Sequence, residues 1–493
     1  MLLLAGADLS RDLILGLDLG TSSIKAILID LNGNVIKKLE SKLPIRRVDN
    51  RVEQDADDYK KALIEITSSC KEHLPRLAAM GLSGQTPSLL GVDESGNPTF
   101  PVLIWQDNRA TSEAEELSRS FGNPWELIGT SLPWAASACP AKMLWISRHK
   151  PDWIEKTRWL LQPKDYLGFL LTGQALSDPW STKGICNVKS RGAIDELIDF
   201  CGWNAKVMPT LADGYESRGT VTRAASEMTG LPVGLEVSIG WSDAMCGMLA
   251  LGVFAKPTSF VITGTSAIVG TSSLSSPNDA GALYVIPDSC APLSVTYGPT
   301  QMSGGSIAWA AKLIGVSEEE FVSLGDSNES ETVPIYLPYI AGERAPLWRS
   351  DIRGSFSELS ISDEKSSLAR ATMEGVAFAE RQVLEMSQKI SASNPYEVTL
   401  GGHAGNDPKW IKSRKRTMGR SLRRISDADI TCRGSAILAH TILTKDLNAS
   451  TATLSAKSEL HEISASEINY GLNNFERFLA EQSALLMKSD GAR

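Results

Sequence analysis

Apolar residues in this chain follow two spacings, one near two and one near 3.6. Leu13 to Asp30 reads LILGLDLGTSSIKAILID, two apolar runs flanking a Gly-Thr-Ser segment. Short apolar runs broken by small residues predict strand, turn, strand. Leu31-Asn32-Gly33-Asn34 adds a tight-turn signal, and Val35-Ile36 resumes the run. An antiparallel meander is therefore expected. Asp55 to Cys70 switches to a helical spacing, with Ala62, Ile66 and Ser69 on one face. Met80 to Ser83 reads as a short strand ending in Gly84-Gln85, and Leu89 to Val92 as another, closed by DESGNP. Residues 111–120 and 141–149 return to helix. Strands and helices mixed in this way predict an α/β domain.

The opening signal recurs later. Phe260 to Gly270 reads FVITGTSAIVG, again Gly-Thr-Ser with an Ile two residues on, as in Gly20-Thr21-Ser22 and Ile24. A three-letter match alone is weak, but its apolar hairpin setting suggests two related halves. The boundary is expected near residue 250. Gly240-Trp241-Ser242-Asp243 precedes it, and a helical stretch from Ala244 to Leu251 leads into the second hairpin. That gives domains 1–250 and 251–493. Residues 271–280 and 325–332 are rich in Ser, Asn, Asp and Glu and read as surface loops. The polar C-terminal stretch ends in a helical pattern from Phe475 to Met487.

Length supports the division. At 493 residues the chain exceeds the roughly 250–300 at which one hydrophobic core stops growing. With 42% hydrophobic and 22% charged residues, it is neither a disordered chain, a fibre nor a disulfide scaffold. A net charge of −9 lacks the basic excess of a nucleic-acid binder, so no nucleic-acid partner is expected. Lys412, Arg414, Lys415, Arg416, Arg420, Arg423 and Arg424 form a local basic run, expected as a solvated helix face. Seven scattered cysteines without a C-x-x-C pair predict reduced thiols and a cytoplasmic location. No apolar run approaches the roughly 18 residues of a membrane span, so no membrane partner is expected.

The candidate chemistry sits at the glycine turns. Asp18-Leu19-Gly20-Thr21-Ser22-Ser23 puts a carboxylate two residues before a turn whose N–H and hydroxyl groups suit phosphate oxygens. Lys25 adds a cation on the same hairpin, and Asp18 suits a magnesium ion that keeps most of its waters. An Asp-Gly hairpin without ligand explains the string equally well. Two such turns would bracket a nucleoside triphosphate. Neither a P-loop nor a GxGxxG string surrounds them, which argues against Walker-type ATPases and nicotinamide enzymes. Gly401-Gly402-His403-Ala404-Gly405-Asn406 follows the apolar strand Val398 to Leu400 and would let a flat ligand approach the backbone, although a plain strand-to-helix turn reads the same. Asp243 ends a strand and opens a helix, where the dipole favours its ionised form. There it is placed either to accept a proton from a sugar hydroxyl or merely to cap the helix. Gln85, Trp105, Gln106, Asp107, Asn108 and Arg109 form a polar and aromatic group that suits a sugar, or equally a buried Trp with a surface Asp-Arg pair.

Together these segments resemble the FGGY family of carbohydrate kinases over nearly the whole chain. GLDLGTSSIKAILIDLNGNVI is similar to the family's first phosphate segment and EQD at Glu53 to Asp55 to its early acidic motif. GLSGQTPSLLGVDESGNP followed by LIWQDNRA resembles its sugar-binding segment. CPAKMLWISRHKP and LLQPKDYLGFLLTG look most like xylulokinases. GWSDAMCGMLALGV, FVITGTSAIVG, YLPYIAGERAPLW with DIRGSF, and GGHAGNDPKW follow in family order.

The resemblance implies an α/β chain of two actin-like (ribonuclease H-like) ATPase domains with an interdomain catalytic cleft. Residues 1–250 would bind sugar and 251–493 nucleotide. ATP and Mg2+ would be the cofactors, a small-molecule sugar the partner, and a homodimer compatible. Asp243 would be the general base, with Asp18 assisting magnesium and catalysis. Gly20, Thr21, Ser22, Lys25, Gly264 and Thr265 would face the nucleotide phosphates, and Gly304, Gly402 and Asn406 the adenosine. Gln85, Thr86, Pro87, Trp105 and Asp107 would contact sugar. The implied function is ATP-dependent phosphorylation of a pentulose hydroxyl, D-xylulose foremost. Thr86 and Pro87 stand where xylulokinases usually carry Met-His, and Ala244 where relatives carry Asn or Gln; WQDNR also resembles gluconate kinases. A gluconate or polyol kinase and a non-catalytic sugar-binding regulator therefore remain alternatives. A chaperone-type or filament ATPase on the same core fits poorly with GERAPLW and the sugar-site cluster.

Overall fold

A computed structural model describes residues 11–131, 133–330, 332–403 and 407–491. The opening meander forms as β1 (Leu13–Leu19), β2 (Ser23–Asp30) and β3 (Val35–Lys42). β1 and β2 pair antiparallel with Asp18 opposite Lys25, and β3 adds Glu40 opposite Lys25. Helix α1 (Ala56–Ser68) starts at Asp55, whose carboxylate accepts from the Asp57 N–H. Strand β4 (Leu77–Gly84) lies parallel to β1. Helices α2 (Thr111–Phe121) and α3 (Cys139–His149) form where the helical spacing returns. Strands β5 (Ser217–Thr220), β6 (Glu236–Ser238) and β7 (Trp241–Ser242) lead into helix α4 (Asp243–Ala250). The first sheet has the order β5-β6-β4-β1-β2-β3, with β7 also on β4. Leu13, Leu15, Leu17, Ile24, Leu63, Leu77 and Leu82 are among the side chains of its core.

The second hairpin repeats the first. β8 (Ser259–Thr263), β9 (Ala267–Ser273), β10 (Tyr284–Ile286) and β11 (Ser294–Pro299) are followed by α5 (Gly304–Ile314), α6 (Lys365–Ser391), β12 (Glu397–Gly401), α7 (Pro408–Met418) and β13 (Ser421–Ile425). Helix α8 (Ile430–Thr444), β14 (Ser458–His461) and α9 (Ala465–Gly491) close the chain. The second sheet has the order β10-β11-β9-β8-β12-β13-β14. In each sheet the first strand of the meander pairs antiparallel on one side and parallel on the other, with β4 or β12.

The chain divides into two compact units, neither of them contiguous in sequence. The first unit runs to Ala255 and takes back Ile286–Pro292 and Ile430–Ser455; the second holds Lys256–Val285, Leu293–Asp429 and the chain from Ala456. Close packing explains the return of α8. A Cβ at Gly81 would stand 1.7 Å from the Ser435 carbonyl oxygen, one at Gly16 2.3 Å from that of Cys432, and one at Gly434 1.9 Å from that of Cys246. Only glycine lets α8 lie this close to β1, β4 and α4.

The basic run also differs from expectation. Arg414 is fully buried, forks onto Glu380 and stacks on Trp410, while Arg416 pairs with Glu374 at 2.7 Å. Arg423 and Arg424 lie in β13. Helix α7 therefore turns two of its cations inward. Among the described residues no helix is long and apolar enough to cross a membrane.

Candidate active site

In the first unit the parallel strands β1, β4 and β7 end at one sheet edge. Ser83 on β4 pairs with Asp18 on one side and with Trp241 on the other. This edge carries Asp18 and the Gly20-Thr21 turn from β1, Gln85-Thr86-Pro87 from β4 and Asp243 from β7. Two strand spacings, about 10 Å, separate the backbones of β1 and β7.

A hydrogen-bond network fixes the turn. The Gly20 N–H donates to the Ser23 carbonyl at 3.0 Å, and the Leu43 N–H to that of Ser22 at 2.9 Å. The Trp105 indole N–H donates to Thr21 Oγ1 at 2.9 Å. Thr21 Oγ1 in turn lies 3.4 Å from Gln85 Oε1. Gln85 is buried and donates from Nε2 to Gln54 Oε1 at 2.8 Å. Gln54 donates to the Thr21 carbonyl and accepts from the Tyr59 hydroxyl, both at 2.8 Å. Thr21, Gln85 and Trp105 thus converge. Lys25 projects from the exposed side of β2, opposite Asp18 in register.

Asp243 opens α4 at this edge. Ser242 caps α4 by accepting from the Met245 N–H, so capping does not require the Asp243 side chain. Asp243 Oδ1 accepts from the Ala244 N–H at 2.7 Å. Burial pushes its carboxyl up to about 6, against the Ala244 N–H and the Lys183 ammonium, which favour the charged form. Desolvation thus outweighs the contributions that favour the charged form. An Asp with this pKa is ionised at neutral pH yet basic enough to take a proton.

Asp107 is bound within the fold. It is fully buried, accepts from the Val52 N–H at 2.7 Å and is forked by Arg109, whose Nη2 also donates to Glu53 at 2.5 Å. Both carboxylate oxygens serve the fold. Lys142 was not singled out from the sequence. Fully buried on α3, it donates to the carbonyls of Pro87, Leu103 and Ile104 at 3.0–3.1 Å, tying the Gln85 and Trp105 segments together. Gln54 lay inside the EQD string; Lys142 and Lys183 carried no local signal, because only the fold shows which lysines are buried.

In the second unit the same design recurs. The Gly264 N–H donates to the Ser266 carbonyl at 2.8 Å. Three consecutive N–H groups at the start of α5 go to this turn: Ser303 and Gly305 to the Thr265 carbonyl at 2.8 and 3.0 Å, and Gly304 to that of Gly264 at 3.0 Å. Gly402, at φ +93°, follows β12 beside β8, and a Cβ there would stand 2.3 Å from the Thr263 carbonyl oxygen. Gly264, Thr265, Gly304 and Gly402 are thereby gathered. Asn406 lies outside the described residues. Glu343 of the GERAPLW segment is buried and accepts from the Gln301 N–H at 2.5 Å; burial pushes its carboxyl up to about 7.

The first unit carries carboxylates at its sheet edge, the second repeats the glycine turn, and matches to a carbohydrate-kinase family over both halves make the chain an ATP-dependent sugar kinase. The N-terminal domain of the FGGY family of carbohydrate kinases matches residues 13–250, and its C-terminal domain residues 260–442. The chain belongs to the FGGY family of carbohydrate kinases. It is 26% identical to the xylulose kinase of Bacillus subtilis over 440 residues, covering 86% of this chain and 87% of that protein. The crystal structure of a xylulose kinase from Brucella ovis superposes with a TM-score of 0.88 at 25% identity, over 96% of this chain and 99% of that one. Gluconate kinase from Lactobacillus acidophilus shares the fold, with a TM-score of 0.87 at 21% identity over 98% of this chain and 99% of that one.

Proposed function

We propose that this enzyme transfers the terminal phosphoryl group of ATP to a hydroxyl of a pentulose, D-xylulose foremost, with Asp243 as general base. The carrying observation is Asp243 itself: desolvated, relieved of capping by Ser242, and raised to about 6. Its carboxylate accepts the acceptor hydroxyl's proton as that oxygen attacks phosphorus. Gln85, Thr86 and Pro87 border the acceptor on the same sheet edge, and Trp105 joins them through its bond to Thr21. Asp107 contributes indirectly, by holding the Trp105 segment through Arg109. Gly20, Thr21, Ser22 and Lys25 from the first turn, and Gly264, Thr265, Gly304 and Gly402 from the second unit, are assigned to the nucleotide.

Among the described residues no cluster of three or more His, Cys, Asp or Glu side chains stands ready for a metal. Asp18 offers a single carboxylate, which fits Mg2+ retaining most of its waters. When bound, ATP supplies the phosphoryl group and Mg2+ balances the charge on its oxygens.

The pentulose reading draws on the xylulose kinase relatives. A gluconate-type acceptor is the second reading, favoured by the Lys183 ammonium, which is buried and acts on Asp243. ADP release measured over ketoses, polyols and aldonates separates them. D-xylulose is expected to give the highest kcat/KM. A higher value for gluconate or a polyol would overturn the pentulose assignment, and no sugar-stimulated ADP release at all would overturn turnover itself.

A further inference from the structure

The nucleotide-side turn of the second unit leans on a buried ion pair that the chemistry above does not use. Ser303 occupies the N-cap position of α5, where a serine hydroxyl ordinarily accepts from its own helix. Here it caps nothing. Instead Ser303 Oγ donates to Glu380 Oε1 at 2.8 Å. Glu380, on α6, is fully buried and receives Arg414 of α7 through Nη2 at 2.8 Å and Nε at 3.0 Å. Arg414 Nη2 also lies 3.3 Å from Ser303 Oγ, and its guanidinium stacks 3.8 Å above the Trp410 ring. On its other side Ser303 is bonded to the turn, its N–H donating to the Thr265 carbonyl at 2.8 Å. A Cβ at Gly305 would stand 3.0 Å from Thr265 Cγ2, so helix and turn are in close contact as well as bonded.

A fully buried ion pair is weak evidence for stability, because desolvation offsets the attraction. A role in holding one geometry accounts better for this one. We infer that Glu380, Arg414 and Ser303 form a positioning device for the nucleotide site: the buried pair fixes the Ser303 hydroxyl, and Ser303 fixes the Thr265 carbonyl and the start of α5. The Gly264-Thr265 turn is thereby preorganised for phosphate instead of being ordered when nucleotide binds. This rests on the assignment of Gly264 and Thr265 to the nucleotide.

The test is a set of variants of the full chain: Ser303→Ala, the paired Glu380→Leu with Arg414→Met, the triple combination, and Thr265→Ala. Calorimetric Kd values for ATP and ADP and steady-state KM values for ATP and the acceptor are measured for each. Removing both charges together leaves no buried unpaired ion, so the paired variant avoids the defect a single change would create. Ser303→Ala is expected to weaken nucleotide binding about fivefold, the equivalent of roughly 1 kcal/mol for one hydrogen bond, with the acceptor KM within about twofold. The paired variant should show the same selective loss, and the triple no further loss, since one path carries all three groups. Ser303→Ala with unchanged nucleotide Kd would overturn the inference, as would a triple variant whose loss is the product of the separate ones. If Thr265→Ala weakens nucleotide binding while Ser303→Ala does not, only the positioning device fails. If Thr265→Ala leaves binding intact, the nucleotide assignment of the turn fails and the device with it. Should the paired variant not fold, Ser303→Ala and Thr265→Ala decide alone.

Discussion

Replacing Asp243 by Asn changes one oxygen for an NH2 group and removes the proton acceptor while keeping the side chain's size. Loss of a general base typically costs about 10²–10⁴ in rate, roughly 3–5 kcal/mol of barrier. Asp243→Asn is therefore expected to reduce kcat by that factor while leaving nucleotide affinity largely intact. The same burial that makes Asp243 basic makes it costly. Its carboxyl titrates near 3.8 in the unfolded chain and near 6 in the fold. The native state then holds more protons between those values, so its stability falls as pH rises from 3.8 through 6. At neutral pH that difference is worth on the order of 2–3 kcal/mol at most, which Asn does not incur. The variant should melt a few degrees higher at pH 7.5 and show no gain at pH 4. In the wild type, kcat/KM should fall about tenfold per pH unit below pH 6, as the base becomes protonated. ADP-release assays from pH 5 to 8 and melting curves from pH 4 to 7.5 measure both effects. An Asn variant retaining more than a tenth of wild-type kcat, or a pH profile flat through 6, would refute the assignment.

Other changes have definite expected outcomes. Lys183→Met removes a cation that favours ionised Asp243 and should move the acidic limb of kcat/KM to higher pH; an unmoved limb would show that Lys183 does not act on the base. Glu343 is raised from 4.5 to about 7 by burial, so native stability is lost as pH rises across that range. Glu343→Gln keeps an acceptor for the Gln301 N–H and should flatten that loss in urea titrations. Gly434→Ala would place a methyl 1.9 Å from the Cys246 carbonyl, a backbone group that cannot rotate away, and should destabilise the first unit by about 3 kcal/mol or more. Trp105→Phe removes the indole donor to Thr21 Oγ1 and should raise the acceptor KM about fivefold, read in the same ADP assay.

Much of the local structure was legible in the chain. The spacing of apolar residues marked β1, β2 and α1, because whether a side chain alternates or recurs near every fourth residue depends only on its neighbours. The two Gly-Thr-Ser strings marked equivalent hairpins, since turns of this kind require small residues wherever they occur. The family-order motifs then identified a sugar kinase and drew attention to Asp18 and Asp243.

Other properties were decided by tertiary structure. The sequence around Arg414 is that of a solvated basic helix; only the approach of α6 and α5 brings Glu380 and Ser303 to it and turns it inward. Asp107 resembles a sugar ligand until Arg109 and the Val52 N–H are seen to occupy it. Helix α8 lies between β13 and β14 of the second sheet in sequence yet belongs to the first unit, because Gly16, Gly81 and Gly434 let it pack closely on β1, β4 and α4. Asp243 shows the same division most plainly. A carboxylate at a helix start can be read from adjacent letters, but its proton affinity depends on how much water the rest of the unit removes, a sum over residues far apart in the chain.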